Sequence, residues 1–309
     1  MISLCMTTYN GERYIEEQLQ SILEQTRKPD EVIIVDDCSR DLTVYIVHEF
    51  IRTHHLENSW SLFCNMENKG YPENFYYAMS MCKGDFVFLA DQDDIWEKDK
   101  IKKMSDVMTK HSEIMLLASK WGMIDSTGEK IKSAMEVQSR NSNLIDSVSV
   151  ERILYKYEWP GMSMCYRMEL GQKALERARK AGVAHDVALA LIAAENATFF
   201  VLDKEYQYHR RHGNNTAMEE SKIHKLLDKN RKLLEIENYL EMLKRIEESE
   251  CLIRDDNRKL ISTKYEIMKE RKHNLEQGDR RNIIRQYTEH RKDIRFATAA
   301  CDWLICKKQ

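Results

Sequence analysis

Strands and helices alternate strictly over about the first ninety residues, and this alternation restricts the fold more than any other feature. Four short apolar runs are typical of buried strands, and the segments between them carry apolar residues at helical spacing. The four runs are Ile2–Met6, Glu31–Val35, Trp60–Cys64 and Phe86–Ala90. This order predicts an α/β fold with a mostly parallel sheet and covering helices.

Polar residues follow each of these four predicted strands. They are Thr7 to Asn10, Asp36 with Asp37, Asn65 to Gly70, and Asp91 with Asp93. In parallel sheets of this kind, ligands bind beyond the carboxyl ends of the strands. Polar residues at one strand end are common, but their presence at four predicts a binding site at this edge of the sheet.

Three carboxylates lie within four positions after the strand Phe86–Ala90. Residues two apart in an extended segment point the same way, so Asp91 and Asp93 can converge on one ligand while Gln92 faces elsewhere. Such a cluster is costly without a positive partner, and Mg²⁺ or Mn²⁺ bound to a diphosphate suits it. The alternative is a solvated acidic turn that caps a helix starting near Trp96.

The second half of the chain is predicted to complete the sheet and then become helical. Predicted helices cover 101–110, 170–180 and 187–194, predicted strands cover 114–119, 162–166 and 199–202, and residues 125–149 fit no element. From about Met218 the chain lacks proline and keeps apolar residues at helical spacing, which predicts a helical extension over 218–309. We expect a break near Gly278 and a final helix reaching Ile305.

Composition limits the partners and the compartment. A net charge of −3 gives no general case for a nucleic-acid partner. The eight cysteines include no Cys-x-x-Cys pair, which indicates reduced thiols rather than a disulfide framework. Without a recognisable signal peptide or a bilayer-spanning apolar run, the expected location is cytoplasmic.

Several short motifs, taken in order, resemble those of the family-2 inverting glycosyltransferases of GT-A fold. The resemblance covers roughly residues 1–216 and is strongest to bacterial rhamnosyltransferase-like enzymes of surface polysaccharide synthesis. Each motif is weak alone, but the ordered set is specific. The matching pieces are Thr-Tyr-Asn-Gly-Glu at 8–12, Ser-Ile-Leu-Glu-Gln-Thr at 21–26, Val-Asp-Asp-Cys-Ser at 35–39, Asp-Leu-Thr at 41–43, Asn-Lys-Gly at 68–70, Ala-Asp-Gln-Asp-Asp-Ile-Trp at 90–96, His-Asp at 185–186 and the segment 209–216.

The resemblance implies a Rossmann-like GT-A domain over 1–217, followed by the helical extension. Residues 1–97 would bind the nucleotide sugar, and residues 98–217 would form the acceptor half. Asp37 would accept a hydrogen bond from the imide N–H that uracil and thymine share, although a helix-capping turn is the alternative role. The residues implied to contact the nucleotide sugar are Thr7, Tyr9, Asn10, Glu12, Asp37, Lys69, Asp91 and Arg211.

The resemblance also implies a divalent cation, Mg²⁺ or Mn²⁺. Asp93 would ligate it and Asp91 would approach it or the ribose, and the cation would neutralise the leaving nucleoside diphosphate. A late histidine often completes the metal shell in such enzymes, and His212 matches that position better than His209. A basic surface turn is the alternative for both histidines.

Inversion in one displacement needs a carboxylate that takes the proton of the acceptor hydroxyl. The resemblance assigns this role to Asp186, at the start of a helix whose positive end favours a charged carboxylate. A simple N-cap is the alternative. Trp159, Gly161 and His185 would line the acceptor side, with a buried structural role as the alternative for Trp159.

The implied function is metal-dependent, inverting transfer of a hexose, with rhamnose from dTDP-rhamnose as the first candidate, to a glycan or lipid-linked acceptor. A UDP-hexose (glucose or galactose) transferase is the alternative enzyme. A non-catalytic glycan-binding module would be expected to lack Asp93 or Asp186. A nucleotidyltransferase would begin with a Gly-rich basic loop, which Thr7–Gly11 is not.

Two features leave questions for the structure. The glycine that usually follows the paired aspartates is Cys38, and the usual Asp-Gly-Thr turn contains Leu42, so the backbone of this turn is in question. The apolar side of the helical extension also needs a partner surface. The candidates are the catalytic domain, a second subunit in a homodimer, or the inner face of the membrane, which the basic residues after Asp279 would suit.

Overall fold

The computed structural model describes residues 1–131, 145–212, 227–249 and 252–307. The chain divides into two compact units. The sheet unit comprises Met1–Ser149, Glu158–Lys180 and Ala184–His212, and the helical unit comprises Val150–Tyr157, Ala181–Val183 and Gly213–Gln309. The helical unit therefore takes in two short segments that precede the predicted extension.

The sheet unit contains nine strands and most of its helices alternate with them. The strands are β1 Ile2–Thr8, β2 Glu31–Asp36, β3 Trp60–Cys64, β4 Phe86–Ala90, β5 Ile95–Trp96, β6 Leu116–Ile124, β7 Ile145–Ser147, β8 Met164–Arg167 and β9 Phe199–Arg210. The helices are α1 Ile15–Leu23, α2 Thr43–Thr53, α3 Tyr71–Met81, α4 Lys100–Lys110, α6 Met168–Ala181 and α7 His185–Glu195, with α5, Val150–Tyr155, in the helical unit.

The strand order is β3-β2-β1-β4-β8-β6-β9-β5, with β7 also paired to β9. Strands β1 to β4 pair parallel to one another, whereas β8 pairs antiparallel to both β4 and β6. The mostly parallel GT-A arrangement predicted for the first half is therefore confirmed. Its central strands are buried on both faces, and Leu4, Ile34 and Phe88 have no exposed surface.

The last strand is longer than predicted. We expected a strand over 199–202, but β9 continues to Arg210 and pairs with β6 and β5. The charged residues after Leu202 interrupt the apolar pattern, yet Asp203 forms an ion pair with Lys120 of β6. The alternative of a basic surface turn is therefore wrong for His209, which is a strand residue.

The region after the acidic cluster also differs from expectation. The alternative placed a helix start near Trp96, but Ile95 and Trp96 form β5 on the edge of β9, and α4 begins at Lys100, close to the start of the helix predicted over 101–110. Of the segment 125–149 that fitted no element, residues 145–147 form β7 against β9. Residues 132–144 lie outside the described part.

Among its described residues, the helical unit contains four further helices: α8 Lys229–Glu248, α9 Asp255–Gln277, α10 Arg280–Glu289 and α11 Phe296–Lys307. Gly278 ends α9 in the left-handed region at φ 68°, and Asp279 caps α10, so the break occurs where it was predicted. The prediction of a single final helix was wrong, because the charged turn over 290–295 separates α10 from α11. Met218, the predicted start of the extension, lies outside the described residues.

Within the described ranges, no helix is both long and apolar enough to cross a membrane. The cysteines of those ranges are free thiols.

Candidate functional site

The carboxyl ends of β1, β2 and β4 lie side by side in the sheet. Thr8 is paired with Asp36, and Met6 is paired with Ala90. The segments that follow these strands, residues 9–12, 37–39 and 91–94, therefore meet at one edge. This is the edge where the sequence predicts a nucleotide-sugar site.

Two adjacent aspartates hold different parts of this edge. The Asp36 carboxylate accepts hydrogen bonds from Thr8 Oγ1 at 2.8 Å and Ser39 N at 2.7 Å, which fixes the turn after β2. The Asp37 carboxylate is 3% exposed and accepts from Asn65 Nδ2, Lys69 N and Gly70 N at 2.8–2.9 Å. Asp37 thus orders the loop after β3, a contact that its predicted base-binding role did not include.

Cys38 adopts the glycine conformation that the sequence left in question. Its φ is 65°, in the left-handed region where a side chain is disfavoured. The turn therefore keeps the backbone shape that a glycine would allow, with a cysteine in the strained position.

The turn after β1 is tied to its neighbours through side chains. Gln92 accepts from Tyr9 N at 2.8 Å and donates to Tyr9 O at 3.0 Å, so it faces away from the acidic residues beside it. Asn10 Oδ1 accepts from Arg40 N, and Glu12 Oε2 accepts from Leu42 N, each at 2.9 Å. Asn10 and Glu12, predicted to contact the ligand, thus also join the first turn to the second.

The acidic cluster after β4 includes a third carboxylate whose position the sequence did not reveal. Asp94 has no exposed surface, and its Oδ1 lies 3.0 Å from His209 Nδ1. Burial lowers the pKa of His209, but the hydrogen bond with Asp94 and the charges of Asp94, Asp91 and Asp93 together outweigh burial and raise that pKa to about 9. His209 therefore holds Asp94 rather than pairing with Asp93.

Asp91 is surrounded by other carboxylates. Burial, followed by the charges of Asp94 and Asp93, raises the pKa of Asp91 well above its ordinary value. Asp186 also lies near this strand, because a Cβ on Gly161 would be 3.6 Å from Leu89 Cδ1 of β4 and 3.7 Å from Asp186 Cβ. The predicted base and the predicted metal-binding carboxylates therefore lie near the same end of β4.

His212 lies against Asp93. Its Nε2 is 2.8 Å from Asp93 Oδ2, and its ring stacks on Tyr14 with a centroid distance of 4.7 Å. The buried guanidinium of Arg210 lies over the Tyr14 ring, 4.7 Å from its centroid. Its Nε donates a hydrogen bond to Asp93 O. Tyr14 had been counted only among the apolar residues of a helix, and Arg210 only as part of a basic segment.

Lys100 is a second residue whose role the sequence did not indicate. It has no exposed surface, and its Nζ donates to Met162 O at 2.6 Å. Burial lowers its pKa well below the usual value, against the opposing charges of Asp94 and Asp91. Lys100 therefore links the acidic cluster to the segment around Gly161.

Gly161, His185 and Asp186 are packed together. A Cβ on Gly161 would lie 2.8 Å from His185 Nε2 and 3.7 Å from Asp186 Cβ, so this approach requires glycine. His185 is buried, stacks on Phe75 at 4.0 Å, and has no ring-nitrogen partner among the described residues. Burial lowers its pKa, so the imidazole is neutral.

Asp186 lies within the first turn of α7, and the N-cap of that helix is Ala184. The alternative of a simple N-cap is therefore wrong for Asp186. Its Oδ1 accepts a hydrogen bond from Val187 N at 2.8 Å.

Four residues predicted to contact ligands have their described contacts within the protein. Trp159 is 3% exposed and packs edge-on against Phe199, so it occupies the core instead of an open acceptor surface. Lys69 Nζ lies 5.2 Å from the Tyr77 ring centroid. Arg211 donates its backbone N–H to Ile124 O. Thr7 belongs to β1 and pairs with Val35.

The donors at this strand end suit a hard divalent cation. Asp91 and Asp93 supply the carboxylate oxygens that Mg²⁺ and Mn²⁺ prefer, and His212 could add an imidazole nitrogen. Burial, and then the charges of Asp94 and Asp93, raise the pKa of Asp91, and a cation would stabilise its charged form. However, the described residues contain no group of three or more such side chains already converging on one point.

Comparison with known sequences agrees with this site. The chain matches the model of glycosyl transferase family 2 over residues 3–169, more than half of its length. It is similar to the poly(ribitol-phosphate) beta-N-acetylglucosaminyltransferase TarS of Staphylococcus aureus, with 32% identity over 159 residues, 49% of this chain and 27% of that protein. It is also similar to the dTDP-rhamnosyl transferase RfbG of Shigella flexneri, with 40% identity over 111 residues, 33% of this chain and 36% of that protein. The matches thus span well under half of each relative.

Solved structures share the fold. The complex of S. aureus TarS 1–349 with UDP-GlcNAc has a TM-score of 0.58 and 20% identity, covering 99% of this chain and 90% of that one. The mannosyltransferase PcManGT of Pyrobaculum calidifontis, in complex with GDP-Man and Mn²⁺, has a TM-score of 0.51 and 16% identity, covering 85% of this chain and 68% of that one. The sequence match and the shared GT-A fold show that the chain belongs to glycosyl transferase family 2.

Proposed function

We propose that this chain transfers a hexose, with inversion, from a pyrimidine nucleoside diphosphate sugar to a hydroxyl group of a cell-surface glycan or its lipid-linked precursor. The observation that carries the proposal is the position of Asp186 near the end of β4, since a Cβ on Gly161 would lie 3.7 Å from Asp186 Cβ and 3.6 Å from Leu89 Cδ1 of that strand. A base beside the site of the leaving diphosphate is the arrangement that a single displacement needs.

In the proposed reaction, Asp186 takes the proton of the acceptor hydroxyl as its oxygen forms a bond to the sugar C1. The bond from C1 to the diphosphate oxygen breaks at the same time, and its electron pair leaves with the nucleoside diphosphate. Neutral His185 and Gly161 would hold the backbone and side chain of Asp186 in place, because they pack directly against it. His185 is buried whereas Asp186 is half-buried, so the carboxylate remains accessible to an acceptor.

Asp91, Asp93 and His212 would hold Mg²⁺ or Mn²⁺, which when bound supplies positive charge to the leaving diphosphate. Arg210 would position Asp93 through its backbone carbonyl, and His209 would hold Asp94 in place through the 3.0 Å contact between them. The complex of the archaeal mannosyltransferase with Mn²⁺ supports a metal in a protein of this fold.

Two donors are the leading candidates. Similarity to RfbG, a dTDP-rhamnosyl transferase, supports rhamnose from dTDP-rhamnose. Similarity to TarS, whose structure has been solved with UDP-GlcNAc, supports a UDP-linked hexose or N-acetylhexosamine. The proposed contact of Asp37 with the pyrimidine imide is common to both.

A thermal-shift screen tests the donor class. The protein with Mn²⁺ is heated with dTDP-rhamnose, UDP-glucose, UDP-galactose, UDP-GlcNAc or GDP-mannose. We expect at least one pyrimidine donor to raise the Tm and GDP-mannose to leave it unchanged. Stabilisation by GDP-mannose alone, or by none of the five, would contradict the proposal.

The last two helices are proposed to contact the inner face of an anionic membrane. Phe296, Ile284 and Leu304 are 70%, 53% and 41% exposed, and basic side chains such as those of Arg291 and Lys292 are exposed nearby. Apolar side chains beside basic ones suit a bilayer surface. Flotation with anionic liposomes should be salt-sensitive and should weaken in Phe296→Ser. A protein that never floats, and forms a dimer, would favour a homodimer interface.

A further inference from the structure

We propose that Glu17, an exposed carboxylate on α1, is a positioning residue for the proposed metal site. It acts through Arg210, whose guanidinium contacts both the Glu17 carboxylate and the backbone of Asp93. The inference rests on the proposed binding of Mg²⁺ or Mn²⁺ by Asp91, Asp93 and His212. It adds a residue on a surface helix that sets how tightly this cation is bound.

Arg210 is a buried cation that reaches from α1 to the acidic cluster after β4. Its side chain has no exposed surface, although it carries a permanent charge. Its Nη2 donates to Glu17 Oε2, and its Nε donates to Asp93 O at 3.0 Å. Its backbone N–H donates to Asp94 Oδ1 at 3.3 Å. Arg210 therefore contacts two residues of the acidic cluster while its guanidinium is also held on α1.

The start of α1 holds this guanidinium through two side chains. Tyr14 is the N-cap of α1 and Glu17 lies three positions later, so their side chains are neighbours on the first turn. The guanidinium of Arg210 lies 4.7 Å from the centroid of the Tyr14 ring. The ring of His212 stacks on the same tyrosine, also at 4.7 Å, and its Nε2 faces Asp93. The cation held by Glu17 and the histidine beside Asp93 thus share one aromatic ring.

Loss of the Glu17 carboxylate would disturb the metal site in two ways. A buried cation is costly when a carboxylate partner is removed, so the guanidinium would rearrange and its hydrogen bond to Asp93 O would weaken. The less compensated charge of Arg210 would also oppose a cation at Asp93. Both effects lower metal affinity. Loss of a group that supports a metal ligand lowers metal affinity by about 10–100-fold.

A purely structural role for Glu17 leads to a different expectation. Substitution would then reduce the stability of the fold, but the folded protein would bind the metal as tightly as before. Glu16 provides the matched control, because it is the adjacent residue, is exposed on the same helical turn and carries the same charge. An effect of net charge alone would appear equally at both positions.

Titration of the full chain with Mn²⁺, followed by electron paramagnetic resonance, measures the affinity directly and needs no sugar transfer. The variants are Glu17→Ala, Glu17→Gln and the control Glu16→Ala. Circular dichroism and urea unfolding identify the variants that are folded under the conditions of the titration. Glu17→Ala is also placed in an Arg210→Met background, because a residue that acts through Arg210 has no further effect once that side chain is gone.

We expect Mn²⁺ affinity to fall about tenfold or more in Glu17→Ala and to stay unchanged in Glu16→Ala. The fall should be smaller in Glu17→Gln, since its amide oxygen can still accept from Arg210 but carries no charge. In the Arg210→Met background, Glu17→Ala should cause no further loss of affinity.

Equal affinity in Glu17→Ala and Glu16→Ala, or an additive loss in the Arg210→Met background, would overturn the inference and leave the proposed metal site intact. If Glu17→Ala does not fold, Glu17→Gln decides, and an affinity equal to that of the wild type would overturn the inference. A wild-type protein that binds no Mn²⁺ would contradict the proposed metal site itself, and the role of Glu17 with it.

Discussion

The imidazole Nε2 of His212 lies 2.8 Å from the carboxylate Oδ2 of Asp93, although 119 positions separate the two residues in the chain. This contact exists because β5 pairs with β9 directly after the acidic cluster, which brings the end of β9 back to the end of β4. Tyr14 and Arg210 pack against the same pair. The proposed metal site is thus assembled from three distant parts of the sheet unit.

Replacing Asp93 tests this assembly. Asp93→Asn removes one anionic donor while keeping the side-chain size, so the fold should persist. Activity should fall by at least the roughly 10–100-fold that loss of a supporting group around a metal causes. Electron paramagnetic resonance should show weaker Mn²⁺ binding, with circular dichroism unchanged.

The matched control for that variant is Asp106→Asn on α4, whose carboxylate is paired with Lys102 at the surface. It should leave both activity and Mn²⁺ binding unchanged. Equal Mn²⁺ affinity in Asp93→Asn and in the control would show that Asp93 has a structural role.

Replacing Asp186 tests the proposed base. Asp186→Asn keeps an acceptor for Val187 N but cannot take a proton, so transfer should fall by about 10²–10⁴-fold. Donor affinity should barely change, as titration calorimetry would show. Glu195→Gln, at the other end of α7, serves as the control and should retain activity. If donor affinity dropped in parallel with transfer, Asp186 would belong to the donor site.

The parallel half of the fold could be predicted because uninterrupted apolar runs such as Phe86–Ala90 have few alternatives as buried strands. The extent of β9 could not be predicted, because Asp203 and its charged neighbours interrupt the apolar pattern of a buried strand. Only the ion pair between Asp203 and Lys120 of β6 explains how this charge is accommodated in the sheet. Sequence order alone cannot show which charged residues a distant strand will cover.

The same limit applies to the site. Asp91, Asp93, His212 and Asp186 could be selected from ordered motifs, but Asp94 belongs to the same acidic run and only its burial beside His209 distinguishes it. Lys100 lies in a helix with two other lysines close by, a pattern that indicates solvent exposure, yet it is fully buried. Neither residue carries a local signal of its environment.

Substitutions of Cys38 test whether the turn beside Asp37 is strained. Since its φ is 65°, Cys38→Val should destabilise the protein by about 1–2 kcal/mol, whereas Cys38→Gly should change stability by less than about 1 kcal/mol and keep activity. Urea unfolding measures both. Cys64→Val, at an exposed strand end, is the control and should be close to neutral. An equal loss in Cys38→Val and Cys64→Val would contradict a strained turn.

The lowered pKa of Lys264 predicts that the stability of the folded protein depends on pH. Burial lowers its pKa to about 8, below the unfolded value of 10.5, so the charged lysine destabilises the folded state fully below about pH 8. This penalty disappears as the pH rises from 8 to 10.5, because there the unfolded chain binds more protons. Lys264→Met should therefore be about 2–3 kcal/mol more stable than the wild type at pH 7, with the difference narrowing toward pH 10.5.

Urea unfolding at pH 7 and pH 10 measures that difference. Lys269→Met, an exposed position on the same helix, should show none at either pH. A pH-independent effect of Lys264→Met would mean that packing, and not desolvation of the ammonium group, controls stability at this position.

The central claim is metal-dependent, inverting transfer from a pyrimidine donor, and NMR of the turnover mixture tests it most directly. Wild-type protein is incubated with the donor panel and acceptor glycans, with Mn²⁺ or after exhaustive chelation. We predict nucleoside diphosphate release from a dTDP- or UDP-sugar only with metal, and a product whose anomeric configuration is opposite to that of the donor. Turnover that survives chelation, or a product with retained configuration, would contradict the account.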